Sequence, residues 1–110
     1  ETVRIFDAVE FNPGLASTDV AADVAYLAMD LRFCGKRGLA ERLIDAYADC
    51  ADDPGLRSLA GFYQCYRALV RLLVESLFIV DPAIGAARKH RARQAARRYL
   101  ALAGAFARRL

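Results

Sequence analysis

LRSLAGFYQCYRALVRLLVESLFIV, residues 56–80, is the stretch on which the fold turns. Leu59, Phe62, Tyr63, Tyr66, Val70, Leu73 and Leu77 recur along it at helical steps, while Arg67, Arg71 and Glu75 recur at four-residue steps on another side. Apolar recurrence of that period marks an amphipathic helix, so a helix is predicted over 56–80, with the apolar set as its buried face. At 1.5 Å per residue it spans roughly 37 Å, long enough to be the central strut of a helical domain. Glu75 is its only acid and lies one turn from Arg71, a pair worth tenths of a kcal/mol. Phe62-Tyr63-x-x-Tyr66 has the form of an aromatic ligand box, yet at helical spacing the simpler expectation is core. Arg67 is placed to pair with an acid from the first helix or with one from a segment outside these residues.

Working outward, Asp52-Asp53-Pro54-Gly55 closes a shorter helix predicted over 39–50, with Leu39, Leu43, Ala46, Tyr47 and Cys50 on its buried side. On the other flank, Asp81-Pro82 reads as a cap followed by proline at the first helical position. It opens a last helix over 83–108, packed through Ala95, Tyr99, Leu102 and Phe106. Gly35-Lys36-Arg37-Gly38 separates the second helix from a first, capped near Ser17 or Thr18. Val20, Val24, Leu27, Ala28 and Leu31 form the predicted buried stripe of that first helix, and Asp19, Asp23, Tyr26 and Asp30 share another face. Acids four residues apart repel by a few tenths of a kcal/mol, partly offset by the N-terminal helix dipole.

Before Ser17 the pattern changes. Residues 2–6 read as a short strand with β-branched Thr2, Val3 and Ile5, residues 9–11 as a second extended piece, and Asn12-Pro13-Gly14 as a turn. An isolated strand is marginal in water, so a partner strand from outside these residues is expected. The expected fold class is mainly α with a short N-terminal β element. One unit covers 1–110, with 1–16 as strand and turn and 17–110 as about four helices.

Composition narrows the class. Hydrophobic residues make up 56% of 110, which excludes a disordered chain. Cys34, Cys50 and Cys65 are odd in number and widely spaced, forming neither a disulfide framework nor a zinc pattern. Buried free thiols in a reducing cytoplasm are expected. His90 is the only histidine, which excludes multi-histidine metal sites and His-dependent triads within this chain. The longest apolar run, Leu69 to Val80, is interrupted by Arg71 and Glu75 and falls short of the ~18 residues a membrane helix needs. No membrane partner is expected.

Charge is lopsided: residues 1–55 carry eleven acids and five bases, residues 56–110 two acids and eleven bases. Six of those bases fall between Arg88 and Arg98. Such a cluster can grip nucleic-acid phosphates or an anionic membrane surface, and the alternative to an enzyme is a non-enzymatic helical interaction module that binds nucleic acid or a protein partner through helix 83–108. More simply, the bases form a solvated face or a contact for a neighbouring domain. No aromatic residue is interleaved among the bases, so stacking on nucleobases gets no support, and nucleic acid is not the expected partner.

The acids of the first half carry a sharper reading. Val3-Arg4-Ile5-Phe6 delivers Asp7 into an acidic turn, and Asp19 and Asp23 follow on the opening turns of a helix. A carboxylate at a strand end suits Mg²⁺, which prefers one or two carboxylates and leaves its other positions to water and nucleotide phosphates. The plainer alternative is a strand, turn and helix with solvated acids.

The run Ile5-Phe6-Asp7-Ala8-Val9-Glu10-Phe11-Asn12, followed by Asp19 to Leu31, resembles the later part of an aminoglycoside-phosphotransferase-like kinase domain. It is most similar to the bacterial branch in which that domain is fused to a C-terminal P-loop ATP-binding domain. Phe62-Tyr63-Gln64-Cys65-Tyr66-Arg67-Ala68 and Ala96-Arg97-Arg98-Tyr99-Leu100 extend the similarity along the chain. The resemblance implies a helical subdomain of a protein-kinase-like C-lobe. It also implies ATP-dependent, Mg²⁺-assisted phosphoryl transfer to a hydroxyl of a small molecule. Asp7 matches the family's metal-binding Asp, and Asp23 matches the acid that supports the catalytic loop from behind. Val24 stands where the family has Leu, and Glu10 and Asn12 belong to the motif without an assigned role. The family's His-Gly-Asp-x-His segment and its N-lobe have no counterpart here. The expectation is therefore a fragment that depends on the remainder of the kinase domain and is inactive alone.

Overall fold

The computed structural model describes the backbone of residues 13–53 and 55–110, and side chains from Val20 onward. Four helices account for it: α1 (Pro13–Phe33), α2 (Arg37–Ala51), α3 (Leu56–Val80) and α4 (Ala86–Ala107). The architecture is all-helical among the described residues. The strands expected at 2–6 and 9–11, like Asp7, Glu10 and Asn12, lie outside them.

Helix boundaries follow local chemistry, with three departures from expectation. First, α1 begins at Pro13 rather than near Ser17. Proline fits a first helical position because its missing N–H would have no intrahelical partner there and its φ is already helical. Second, α2 begins at Arg37, two residues early. Third, α4 begins at Ala86 rather than Ala83. Asp81 folds back instead of capping it: its Oδ1 accepts the Ala83 amide at 2.9 Å, and its carbonyl accepts the Ile84 amide at 3.1 Å. That Asx-type turn occupies 81–84 and postpones the helix. Asp53 makes the same kind of turn, its Oδ1 accepting the Gly55 amide at 3.0 Å. Between α1 and α2 the chain passes through Gly35 at φ 82°, a left-handed conformation that glycine adopts without steric cost.

Inter-helix pairs give the topology. Ala21 packs near Ala48, and Arg32 reaches Glu41, so α1 and α2 are antiparallel. Tyr26 meets Tyr63, and Asp30 meets Arg67, so α1 and α3 run in the same direction. Cys65 Sγ donates to the Ala103 carbonyl at 3.6 Å, and Glu75 meets Arg88, so α3 and α4 are antiparallel. Helix α3 is thus the strut that the other three contact.

The core is built of small residues. Ala21, Ala25 and Ala28 of α1, Ala40 and Ala48 of α2, Ala60 and Ala68 of α3, and Ala92 and Ala103 of α4 are all buried. Met29 is the largest side chain with no exposure at all, packed with Cys65, Ala68, Tyr99 and Phe106. Alanine stripes let helix backbones approach closely, and they shift each helix about one residue round from the expected orientation. On α1 the buried set is Ala21-Ala25-Ala28-Met29, with Leu27 exposed. On α2 it is Ala40-Ile44-Ala48, with Leu39, Ala46 and Cys50 exposed.

The largest correction falls on α3. Leu59, Phe62, Tyr66, Leu69, Leu73, Leu77 and Val80 lie on its outside, while Ala60, Gln64, Cys65, Ala68 and Glu75 face in. The packing line of α4 holds better: Tyr99 and Phe106 are buried, with Ala95 and Leu102 packed against them. The thiols differ from expectation too, since only Cys65 is buried and Cys34 and Cys50 are exposed.

Candidate functional site

The acid-bearing face of α1 rises beside α3. Asp23, Tyr26 and Asp30 fall at steps of three and four and so share one side of the helix. Asp30 accepts two long hydrogen bonds from the Arg67 fork, Nε to Oδ1 and a terminal nitrogen to Oδ2, both at 3.4 Å. This is the pairing expected for Arg67, and its two-pronged geometry fixes the rotation of α1 against α3. Half-exposed as it is, the pair is worth no more than about 1 kcal/mol.

One turn earlier, Tyr26 sits against both tyrosines of the α3 aromatic run. Its ring lies 6.4 Å from Tyr63, edge-on, and 6.4 Å from Tyr66, nearly parallel. The Arg67 guanidinium stands 5.5 Å from the Tyr26 ring centre, within cation–π range. Phe62 extends the wall, 5.6 Å from Tyr63. The aromatic run expected to be core is therefore only partly so, since Phe62 and Tyr66 are half-exposed. Burial raises the Tyr26 hydroxyl pKa above its ordinary value, the Tyr66 and Tyr63 hydroxyls and the Asp23 carboxylate add to this, and Arg67 opposes it.

Asp23 itself is exposed and forms no ion pair or hydrogen bond with any described residue. Its carboxylate has no partner among the described residues, on a helix that Met29 and the Asp30–Arg67 clamp hold in place. No group of three His, Cys, Asp or Glu side chains suited to a metal ion occurs among the described residues. The metal-ligand assignment rests on Asp7, outside them.

The basic run of α4 is partly consumed by the fold. Arg88 bonds Glu75 at 3.2 Å and stands 4.3 Å from the Phe78 ring centre. Arg98 covers the Phe33 ring at 4.3 Å and donates to the Phe33 carbonyl. Arg91, Arg93 and Arg97 remain exposed. Arg71 and Glu75 meet as expected, at 3.1 Å. The second cation on Glu75 was not legible, because Arg88 stands thirteen residues away on another helix.

A group the sequence did not single out lies at the opposite face. Arg32 donates to Gln64 Oε1 at 3.2 Å, reaches Glu41 at 3.5 Å and lies over Phe106 at 5.2 Å. Burial lowers the Arg32 pKa, and Glu41 works against that. These residues line a cleft of about 540 Å³ together with Asp45, Arg57 and Arg109. Arg32 pairs with Glu41 and Arg57 with Asp45 along its walls, while Arg109 lies over Phe106. A lone arginine at the end of an apolar helix pattern was the available signal.

Over 71 residues, 64% of this chain, the sequence is 41% identical to the uncharacterized protein Rv2004c of Mycobacterium tuberculosis H37Rv. The uncharacterized protein Mb2027c of Mycobacterium bovis matches to the same extent. The match spans 14% of the length of each, so these relatives run to roughly five hundred residues. No protein-family model matches the chain, and no solved structure matches it.

Proposed function

We propose that this chain is the distal, helical part of the C-lobe of an ATP-dependent phosphotransferase of the aminoglycoside-phosphotransferase-like family. The observation that carries the reading is the sequence run around Asp7, followed at helical register by Asp23 on α1. Asp7 stands in the Phe-Asp-x-x-Glu-Phe-Asn run, and Asp23 stands on the clamped acidic face of α1. A mainly helical architecture agrees with a C-lobe. The length of the mycobacterial relatives leaves room for a nucleotide-binding N-lobe, a catalytic segment and a further ATP-binding domain.

In this reading Asp7 supplies a carboxylate to Mg²⁺, which neutralises phosphate charge during γ-phosphoryl transfer. Asp23 is a positioning residue: its carboxylate accepts backbone hydrogen bonds from the catalytic loop and holds that loop against α1. The clamp from Arg67 to Asp30, together with the packing of Tyr26 on Tyr63 and Tyr66, keeps Asp23 from drifting. The acceptor is a small-molecule hydroxyl.

The test is ATP turnover by the full-length polypeptide, with any fused P-loop domain deleted. Asp7→Asn should cost at least tenfold in Mg²⁺-dependent rate, a barrier increase of about 1.4 kcal/mol or more. Asp23→Ala should lower kcat while leaving the Mg²⁺ concentration dependence unchanged. Wild-type activity retained by Asp7→Asn would remove the metal assignment.

A further inference from the structure

The outer face of α3 is finished for contact, not for water. From Leu59 through Phe62, Tyr66, Leu69, Leu73 and Leu77, apolar side chains follow one another at steps of three and four, each about one-third to three-fifths exposed. They run for roughly 27 Å along the helix. They leave on the order of 600 Å² of largely apolar surface uncovered, the upper end of the largest patch of a typical monomer, about 300–600 Å².

Ser58, Tyr63, Cys65, Val70, Leu72 and Ile79 border the stripe, and the one charge on its flank, Arg67, is paired with Asp30. The polar side chains that α3 carries beyond Leu59 are turned inward and engaged. Gln64 bonds Arg32 and Ala60, Arg67 bonds Asp30, Arg71 and Glu75 bond each other, and Ser76 donates to the Leu72 carbonyl at 2.8 Å. A helix that is apolar on every side not occupied by its own partners is a buried helix.

We propose that this face of α3 is covered by an apolar helix from the remainder of the same polypeptide, so that α3 is the interior helix of a larger core. Two observations select that occupant. Relatives of roughly five hundred residues supply the chain. The charges beside the seam, Arg67 and Asp30, are also already paired with each other, whereas helical partners that meet as separate chains commonly set register and choice with flanking charges. An uncharged apolar face resembles a domain core cut in half, the character of a permanent interface. The inference stands on the surface of α3 and on chain length, not on the phosphotransferase reading, and its readout is independent of activity.

The experiment uses the full-length polypeptide carrying Leu69→Cys or Leu73→Cys, labelled with a maleimide and read at those positions by peptide mass spectrometry. Labelling in native buffer should be at least twentyfold slower than in urea and unchanged by tenfold dilution. A smaller factor, showing a free surface, overturns the proposal. Protection lost on dilution as a dimer dissociates also overturns it, assigning the face to a second copy. Hydroxyl-radical footprinting of unmutated protein reads the same face at Phe62 and Tyr66 should either variant not fold. Oxidation at least tenfold below the level in urea supports burial, and less protection than that overturns it.

Discussion

Replacing Glu75 by glutamine should destabilise the helical domain more than neutralising any other acid among the described residues. Among those residues Glu75 is the one buried acid, its side chain 6% exposed, with Arg71 at 3.1 Å on one oxygen and Arg88 at 3.2 Å on the other. Glu75→Gln keeps the shape and removes the charge, leaving two guanidinium groups facing a neutral amide. Breaking a fully buried pair costs about 3–5 kcal/mol. The two arginine side chains are 30% and 33% exposed, so water recovers part of that, and the expected loss is about 2 kcal/mol. For a domain near this size the melting temperature should fall by roughly 8–10 °C. Urea denaturation followed by far-UV circular dichroism measures it, with Glu41→Gln as the control. Glu41 is half-exposed, with both of its arginine contacts at 3.5 Å, and should cost less than about 0.5 kcal/mol. In the Glu75→Gln background, Arg88→Met should cost less than it does alone. A Glu75→Gln loss no larger than that of Glu41→Gln would refute the bridging role.

Three further outcomes follow from the packing and the charges. Met29→Ala should cost about 3 kcal/mol, because the side chain is wholly enclosed by three helices. Ala28→Leu should cost about 2 kcal/mol or more by forcing α1 from α2, where Ala25, Ala28 and Ala40 allow no added volume; both are read by urea midpoint. Tyr26 should make stability fall at alkaline pH. Its native pKa lies above the ordinary 10.0, so the native state holds the proton longer than the unfolded chain. The contribution is complete below about pH 10 and is lost as pH rises through the native value. Tyr26→Phe should therefore flatten the decline of the urea midpoint above about pH 10, and an unchanged slope would remove Tyr26 as its source.

Much of the helical layout was legible because breaks are written in strong local chemistry. Gly35, the Asp52-Asp53-Pro54-Gly55 run and Asp81-Pro82 each divide helices where expected, and α3 spans the residues its periodicity indicates. Which side of each helix faces inward was not legible. Hydrophobic periodicity marks burial by bulk, yet the helices meet through alanine stripes one position away, and Leu27, Leu39 and Leu73 are left outside. Alanine contributes little apolar area itself but permits close backbone approach, a property that hydrophobic periodicity weighs too lightly. The bulky stripe of α3, expected as its buried face, lies outside instead, because Ala60, Cys65 and Ala68 give the close approach on the opposite side.

The same division holds at the candidate site. The pairing of Arg67 with an acid of the first helix and the Arg71–Glu75 pair follow from spacing and charge, and both are present. The exposure of Phe62 and Tyr66, the second cation on Glu75 and the Arg32–Gln64 bond depend on how helices distant in sequence meet. No local pattern encodes those.

The most direct test of the phosphotransferase account is electron paramagnetic resonance of Mn²⁺ with a non-hydrolysable ATP analogue. It uses the full-length polypeptide lacking any fused P-loop domain, wild type beside Asp7→Asn. The account predicts a bound Mn²⁺ signal in the wild type and an affinity at least tenfold weaker in Asp7→Asn. Equal Mn²⁺ affinity in the two proteins would contradict it.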